Sequence, residues 1–213
     1  MTLKLRTREE IAKEIAGDIA EGAYVNLGIG IPTLVSNYIA PGKEVIIHSE
    51  NGILGVGPKP PAGEEDYDLI NASKVPVTLL DGASYFHHAD SFAMMRGGHL
   101  DIAVLGAFQV SYDGDLANWH TGGDDIPAVG GAMDLAVGAK EVWVAMPLLD
   151  RSGKSKLVQK CSYPLTAPAC TSRLYSDHAT FSLRPGGLRV LSLAEGMTID
   201  RLQEIVGCSL QPA

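Results

Sequence analysis

The residues best suited to chemistry in this chain stand at the end of a short apolar run. Glu44-Val45-Ile46-Ile47-His48-Ser49-Glu50-Asn51-Gly52 passes within a few positions from β-branched residues to a carboxylate, an amide and a glycine. Val45, Ile46 and Ile47 fit a short buried strand better than a helix, because the run is brief and Pro41-Gly42 precedes it. Glu50 then lies at the strand's carboxyl end, where ligands of open α/β sheets collect. The glycines of Gly52-Ile53-Leu54-Gly55-Val56-Gly57-Pro58 permit close approach of the backbone to a substrate, since no Cβ intervenes. The arrangement reads as a reactive carboxylate on a tight elbow. It also reads as an ordinary loop carboxylate, with Ser49 and Asn51 making turn hydrogen bonds and the glycines only turning the chain. Local pattern leaves both readings open.

Other conspicuous residues point to chemistry less strongly. Gly28-Ile29-Gly30 gives G-x-G after an apolar segment, but Thr33 occupies the third glycine position of the dinucleotide fingerprint. An anion at this strand-to-helix turn remains open, because unpaired N–H groups and the helix dipole favour negative charge there. His87-His88 with Asp90 invites a metal site, yet adjacent histidines point apart and no ligand cluster accompanies them, which leaves a pocket or packing role. Cys161, Cys170 and Cys208 show no C-x-x-C spacing and are odd in number, so neither structural zinc nor a disulfide framework is expected. Without a paired base, Cys161 and Cys170 read as buried small residues, and Phe92, Met94 and Met95 as core.

These groups need elements to hold them. Thr7-Arg8-Glu9-Glu10 has the form of a capping box and Ile11, Ile15 and Ile19 recur every four residues, predicting a helix from Arg8 to Glu21 stopped by Gly22. A strand near Tyr24 to Leu27 runs into the glycine turn, and Pro32 suits the first turn of a helix through Tyr38. Pro58, Pro60 and Pro61 with Glu64-Glu65-Asp66 mark an exposed loop over residues 58–68. A strand is expected at 75–80, where Pro76 places it near a strand start or an edge. A helix follows at 90–96, closed by Gly97-Gly98, and a buried strand, nearly continuous in apolar residues, at 100–108. Asp113-Gly114 signals a turn, Gly130-Gly131 leads a helix through Ala139, and residues 141–149 return as a strand. Residues 174–183 and 188–193 read as two antiparallel strands around Pro185-Gly186-Gly187, and Thr198 caps a last helix through Val206. Strand and helix alternate for most of the length, predicting an α/β fold: one open, mostly parallel sheet with flanking helices and a mixed antiparallel C-terminal edge.

With 213 residues, 46% of them hydrophobic and 20% charged, the chain can bury one sizeable core, so residues 1–213 read as a single domain. A formal charge of −8 argues against nucleic acid, whose phosphates demand a basic face. An anionic ligand must therefore meet local cations and amides. No long apolar run is present and charges follow the first residues closely, so neither a membrane span nor a signal peptide is expected, and the expected location is the cytoplasm.

Ser49-Glu50-Asn51-Gly52 followed by Gly55 and Gly57-Pro58 resembles the signature of the B (beta) subunit of class I CoA-transferases. The resemblance runs in order along nearly the whole chain, through Val25 to Gly30, His48 to Gly57, Asp68 to Ala72, Met95 to Asp101, Gly114 to Trp119 and Gly130 to Leu135. Within that family, residues 86–92 and Asn118-Trp119-His120-Thr121-Gly122 are most similar to the 3-oxoadipate-directed members, with acetoacetate-directed members as the nearest alternative. The resemblance implies the CoA-transferase fold and makes Glu50 a nucleophile that carries CoA as a thioester between succinyl-CoA and 3-oxoadipate. It further implies Asn26 and the Gly131 amide near the thioester, and Lys74, Asn118, Gly28 and Gly30 toward CoA. Coenzyme A would be substrate and covalent intermediate, with no permanently bound cofactor and no metal. The implied partner is the A (alpha) subunit of a CoA-transferase, in a heterodimer or an α2β2 assembly. Two readings of other classes are a non-catalytic ligand sensor on the same fold, which has no use for an unpaired carboxylate beside a glycine elbow, and a sugar-phosphate isomerase, which would want more basic phosphate ligands.

Overall fold

The computed structural model describes residues 2–123, 128–183 and 187–212. In chain order, the elements begin with α1 (Arg8–Asp18), β1 (Ala23–Leu27), a 3₁₀ helix (Pro32–Tyr38), β2 (Val45–Ser49), β3 (Ile53–Val56), β4 (Leu79–Tyr85), α2 (His88–Arg96), β5 (Ile102–Leu105) and β6 (Gln109–Ser111). They continue with β7 (Leu116–Ala117), α3 (Ala132–Gly138), β8 (Glu141–Ala145), β9 (Leu157–Val158), β10 (Thr171–Tyr175), β11 (Ala179–Ser182), β12 (Arg189–Leu193), α4 (Ile199–Val206) and β13 (Gln211–Pro212). Ten strands form one sheet in the order β13-β12-β11-β10-β8-β5-β1-β2-β3-β4, while β7, β6 and β9 form a small second sheet. Strands β10, β8, β5, β1 and β2 run parallel at the centre. Antiparallel pairs flank them on both sides, β2-β3-β4 on one and β10-β11-β12 on the other. No helix among the described residues is long and apolar enough to cross a membrane.

Strand alternation builds a core on each face of the sheet. In β5, Ile102 and Val104 belong to the core that includes Ile11, Ala12 and Ile15 of α1, whereas Ala103 and Leu105 belong to the one that includes Met95 of α2, Leu135 of α3 and Leu202 of α4. Burial on both faces explains why this strand is apolar at every position. The capping box forms at Thr7 and Glu10, but α1 ends at Asp18, short of the predicted Glu21. Ile19 leaves the helix with ψ 131 and stays in the core at 2% exposure. Arg6 Nη1 pairs with Glu14 Oε2 at 3.0 Å, and Glu14 Oε1 accepts from Thr180 Oγ1 and Ser192 Oγ, which fastens α1 to β11 and β12.

Several expectations require correction. Residues 32–38 form a 3₁₀ helix. The glycine-rich stretch after Glu50 is strand β3 and not a ligand-binding loop. A Cβ at Gly52 (φ 101) would strike the Phe86 carbonyl oxygen, and one at Gly55 (φ 89) would lie 3.0 Å from Ala83. The glycines there make room for the adjoining strand. β4 starts at Leu79, because the backbone of Val77 and Thr78 is bonded to Leu69 and Pro58 of the preceding loop. Residues 174–183 contain a reversal, Ser176 N–H donating to Ala179 O, so they span two strands. β11 and β12 pair antiparallel as expected, while Pro185 and Gly186 of the predicted turn lie outside the described residues.

Candidate active site

The parallel strands β2, β1, β5 and β8 finish along one edge of the sheet, with Asn26 beside His48, Leu27 beside Val104 and Leu105 beside Val144. A cavity of about 880 Å³ opens there. Glu50, Asn26, Gly28, Gly30, Asn118 and Gly131 all line it, so the chain brings six of the seven expected site residues together. Lys74 is exposed on a turn at φ 59, and although its neighbours Asn71 and Ala72 reach the cavity wall, Lys74 does not. Much of the remaining wall is apolar, including Ile29, Phe108, Trp119, Leu135 and Met146. Its charged members among the described residues are Arg8, Glu50 and Lys156.

Glu50 follows β2 directly, held by a turn in which Gly52 N–H donates to Ser49 O at 3.0 Å. His88 lies 2.8 Å from the Glu50 carbonyl through Nδ1, which must carry the proton in that contact. The Glu50 carboxylate itself has no hydrogen bond or ion pair among the described residues, and the residue is half-buried. Gly131 packs its α-carbon against that carboxylate: a Cβ built there would overlap Oε2 and lie 3.2 Å from Cδ, with Phe92 Cζ at 3.4 Å. Gly131 has φ −77, so space and not backbone conformation demands glycine.

A buried hydrogen-bonded chain lies behind the end of β2. Ser91 Oγ donates to Ser49 O at 3.3 Å and so accepts from His48 Nε2 at 2.9 Å. That leaves a lone pair on His48 Nδ1, which accepts from Asn26 Nδ2 at 3.0 Å, while the second Nδ2 hydrogen goes to His48 O at 3.1 Å. Burial holds His48 neutral, pushing its pKa down to about 4 against the opposing hydrogen bond with Ser91. Both amide hydrogens of Asn26 are thus committed, and Oδ1 is its uncommitted polar atom among the described residues.

Other expected site residues serve the scaffold as well as the cavity. Gly28 N–H donates to Val104 O at 2.8 Å, and a Cβ there would lie 3.1 Å from that oxygen. The Gly30 amide donates to Ser73 Oγ at 3.1 Å and is therefore not open to the anion considered for this turn. Asn118 Nδ2 donates to Gly106 O at 3.1 Å and its Oδ1 accepts from Thr166 at 2.6 Å, tying the end of β7 to the end of β5. His87 caps α2 by accepting from Ala89 N–H, and no group of three or more His, Cys, Asp or Glu among the described residues could hold a metal. Burial pushes the Cys161 and Cys170 thiols up to about 11, so they stay protonated at neutral pH.

Sequence reasoning misses His48, Ser91, Arg8 and Lys156 as site or supporting residues. A histidine interrupting an apolar strand is the available signal for His48. Ser91 and Lys156 carry none, because Lys156 sits in the polar run Arg151-Ser152-Gly153-Lys154-Ser155-Lys156, and Arg8 reads as the start of a helix.

The match of this chain to known proteins agrees with the cavity. Residues 8–205 match the Coenzyme A transferase family model. The chain is 62% identical over 211 residues to the B (beta) subunit of 3-oxoadipate CoA-transferase from Pseudomonas putida, covering 99% of this chain and 98% of that protein. It is 55% identical over 205 residues to the protein of the same description from Acinetobacter baylyi, covering 96% of this chain and 94% of that one. Among solved structures, the acyl-CoA transferase apoenzyme of Escherichia coli O157:H7 superposes with a TM-score of 0.77 at 18% identity. That likeness covers all of this chain but 43% of the longer one, and it speaks for the fold. A carboxylate at the strand ends, a glycine that makes room for it and a family match over nearly the whole length agree: this chain belongs to the coenzyme A transferase family.

Proposed function

We propose that this chain is the nucleophile-bearing B (beta) subunit of a 3-oxoacid CoA-transferase that moves CoA from succinyl-CoA to 3-oxoadipate. The observation that carries the reading is the Glu50 carboxylate, which stands without a partner among the described residues, in an apolar cavity at the ends of four parallel strands. A Glu50 oxygen attacks the thioester carbonyl of succinyl-CoA, the C–S bond breaks, and CoA thiolate leaves an acyl-glutamyl anhydride. The thiolate then attacks the Glu50 carbonyl and expels succinate, giving a glutamyl-CoA thioester. The carboxylate of 3-oxoadipate reverses these steps, so 3-oxoadipyl-CoA departs and Glu50 returns as a carboxylate.

Each step passes through an oxyanion, for which the Gly131 amide and the Asn26 side chain are the proposed donors; losing one such donor typically costs on the order of 10² to 10³ in rate. Asn26 would release one Nδ2 hydrogen from His48 to serve. Asn118, Gly28 and Gly30 would border the CoA arm, and exposed Lys74 would meet its phosphates outside the cavity. CoA is thus substrate and transient covalent partner. The relatives are themselves named as one subunit of a transferase, which supports an A (alpha) subunit that completes the site, in a heterodimer or an α2β2 assembly. Initial rates of the reconstituted pair test the reading. Parallel double-reciprocal lines with succinyl-CoA and 3-oxoadipate support ping-pong transfer, and intersecting lines refute it. A higher kcat/KM for acetoacetate than for 3-oxoadipate would replace the acceptor.

A further inference from the structure

Lys156 enters the cavity wall from the side opposite Glu50. Its amide donates to Leu148 O at 2.8 Å, three residues past the end of β8, while Glu50 follows β2. Strands β1 and β5 lie between β2 and β8, so those two strand ends are about 14 Å apart at three spacings of 4.7–4.9 Å. Between them lies an apolar floor that includes Leu27, Leu105 and Met146. Lys156 is half-buried and makes no hydrogen bond or ion pair through Nζ with the described residues. The two acids that act on it through space hold other partners through Oδ1: that oxygen of Asp177 accepts from the Leu148 amide at 2.8 Å and pairs with His178, and that of Asp150 accepts from Ser152 and the Lys154 amide. Burial draws its pKa down while Asp177 and Asp150 oppose that shift. In a chain of charge −8, two of the three charged residues on the described cavity wall are cations.

We infer that Lys156 forms a subsite for the second carboxylate of a dicarboxylic acyl group whose first carboxyl carbon reacts at Glu50. The inference rests on the transferase reading and deepens it. An apolar floor between a nucleophile and an unpaired ammonium fits a methylene chain with an anion at its far end. Succinyl and 3-oxoadipyl groups have that chemistry, and acyl groups ending in a methyl do not. The flexible stem of Lys156 lets one cation follow dicarboxylates of different length.

The test uses the complex reconstituted with its A (alpha) subunit. Rates are measured with succinyl-CoA and with butyryl-CoA, which has the same chain length and no second carboxylate. Lys156→Met should lower kcat/KM for succinyl-CoA on the order of 10- to 100-fold, the usual loss of a hydrogen bond to a charged group, and change that for butyryl-CoA by less than about threefold. Lys156→Arg should restore most of the loss. If butyryl-CoA is not a donor, the same ratio is read from inhibition by succinate and by butyrate. If Lys156→Met does not assemble, Lys156→Gln, which keeps the stem and polarity, carries the comparison. Equal losses for both substrates, or unchanged discrimination, overturn the subsite and leave Glu50 chemistry standing. Failure of the intact wild-type complex to use succinyl-CoA overturns the transferase reading itself.

Discussion

Substituting Gly131 by alanine isolates the fit between the start of α3 and the Glu50 carboxylate. The new methyl would overlap Glu50 Oε2 and crowd Cδ at 3.2 Å, so Oε2 must retreat by more than about 1 Å to reach ordinary contact distance. Phe92 Cζ at 3.4 Å limits movement on the other side. At φ −77 and ψ −2 alanine meets no backbone strain, and Gly131 makes no side-chain cap to lose. Relief of unfolded-chain entropy, about 0.4–1 kcal/mol, offsets a few tenths lost at the cap position. The melting temperature should therefore stay within about 3 °C of wild type. A nucleophile displaced by about 1 Å typically costs on the order of 10² in rate. The assay is steady-state turnover of the complex beside thermal denaturation of the same samples. Activity within threefold of wild type would show that Gly131 does not hold Glu50 in place. A fall of more than about 8 °C would show that the helix, and not the carboxylate, gives way.

Further outcomes follow from the supporting contacts. His48 is held neutral with a pKa of about 4, against ~6.5 in an unfolded chain, so the unfolded state takes up its proton first as pH falls. That stability is complete above pH ~7 and is lost from ~6.5 down toward 4; at pH 4.5 wild type should have lost about 2 kcal/mol more than His48→Gln, measured by denaturant titration at both pH values. Equal slopes for the two proteins would contradict the neutral, buried histidine. Arg6→Ala breaks the half-buried pair with Glu14 and its link to β12, costing about 2 kcal/mol and lowering the melting temperature by roughly 4–8 °C. An unchanged transition would mean the pair contributes nothing. Lys74→Ala should raise KM for succinyl-CoA by no more than about fivefold, less at high salt, as an exposed cation allows; a loss of kcat would instead place Lys74 at the chemistry.

The sequence is most legible where the physics is local. The Thr7 capping box, the apolar faces of α1, the Thr198 cap and the unbroken apolar strand β5 each depend on a few neighbouring residues, and each is present. Glu50 is only half legible from its surroundings: an apolar strand that ends abruptly in a carboxylate marks a candidate, and the family resemblance of Ser49-Glu50-Asn51-Gly52 is what separates it from an ordinary loop carboxylate. The glycines after it mislead, since Gly52 and Gly55 answer to β4, some 30 residues away in sequence, and no local pattern announces such a neighbour. Lys156 is hidden for a related reason: a lysine in a polar run looks solvated until the end of β8 folds it against a cavity. Asn26 and Asn118 both line the cavity, yet their hydrogen bonds to His48, Gly106 and Thr166 become evident only when distant strands are set side by side.

In the proposed mechanism Glu50 becomes covalently charged with CoA. The complex incubated with succinyl-CoA, treated with borohydride and digested should yield a modified peptide spanning Glu50, absent when Glu50→Ala is used and discharged beforehand by 3-oxoadipate. An unmodified Glu50 peptide from a complex that is intact and binds CoA would rule out the covalent intermediate and leave this chain a binding protein.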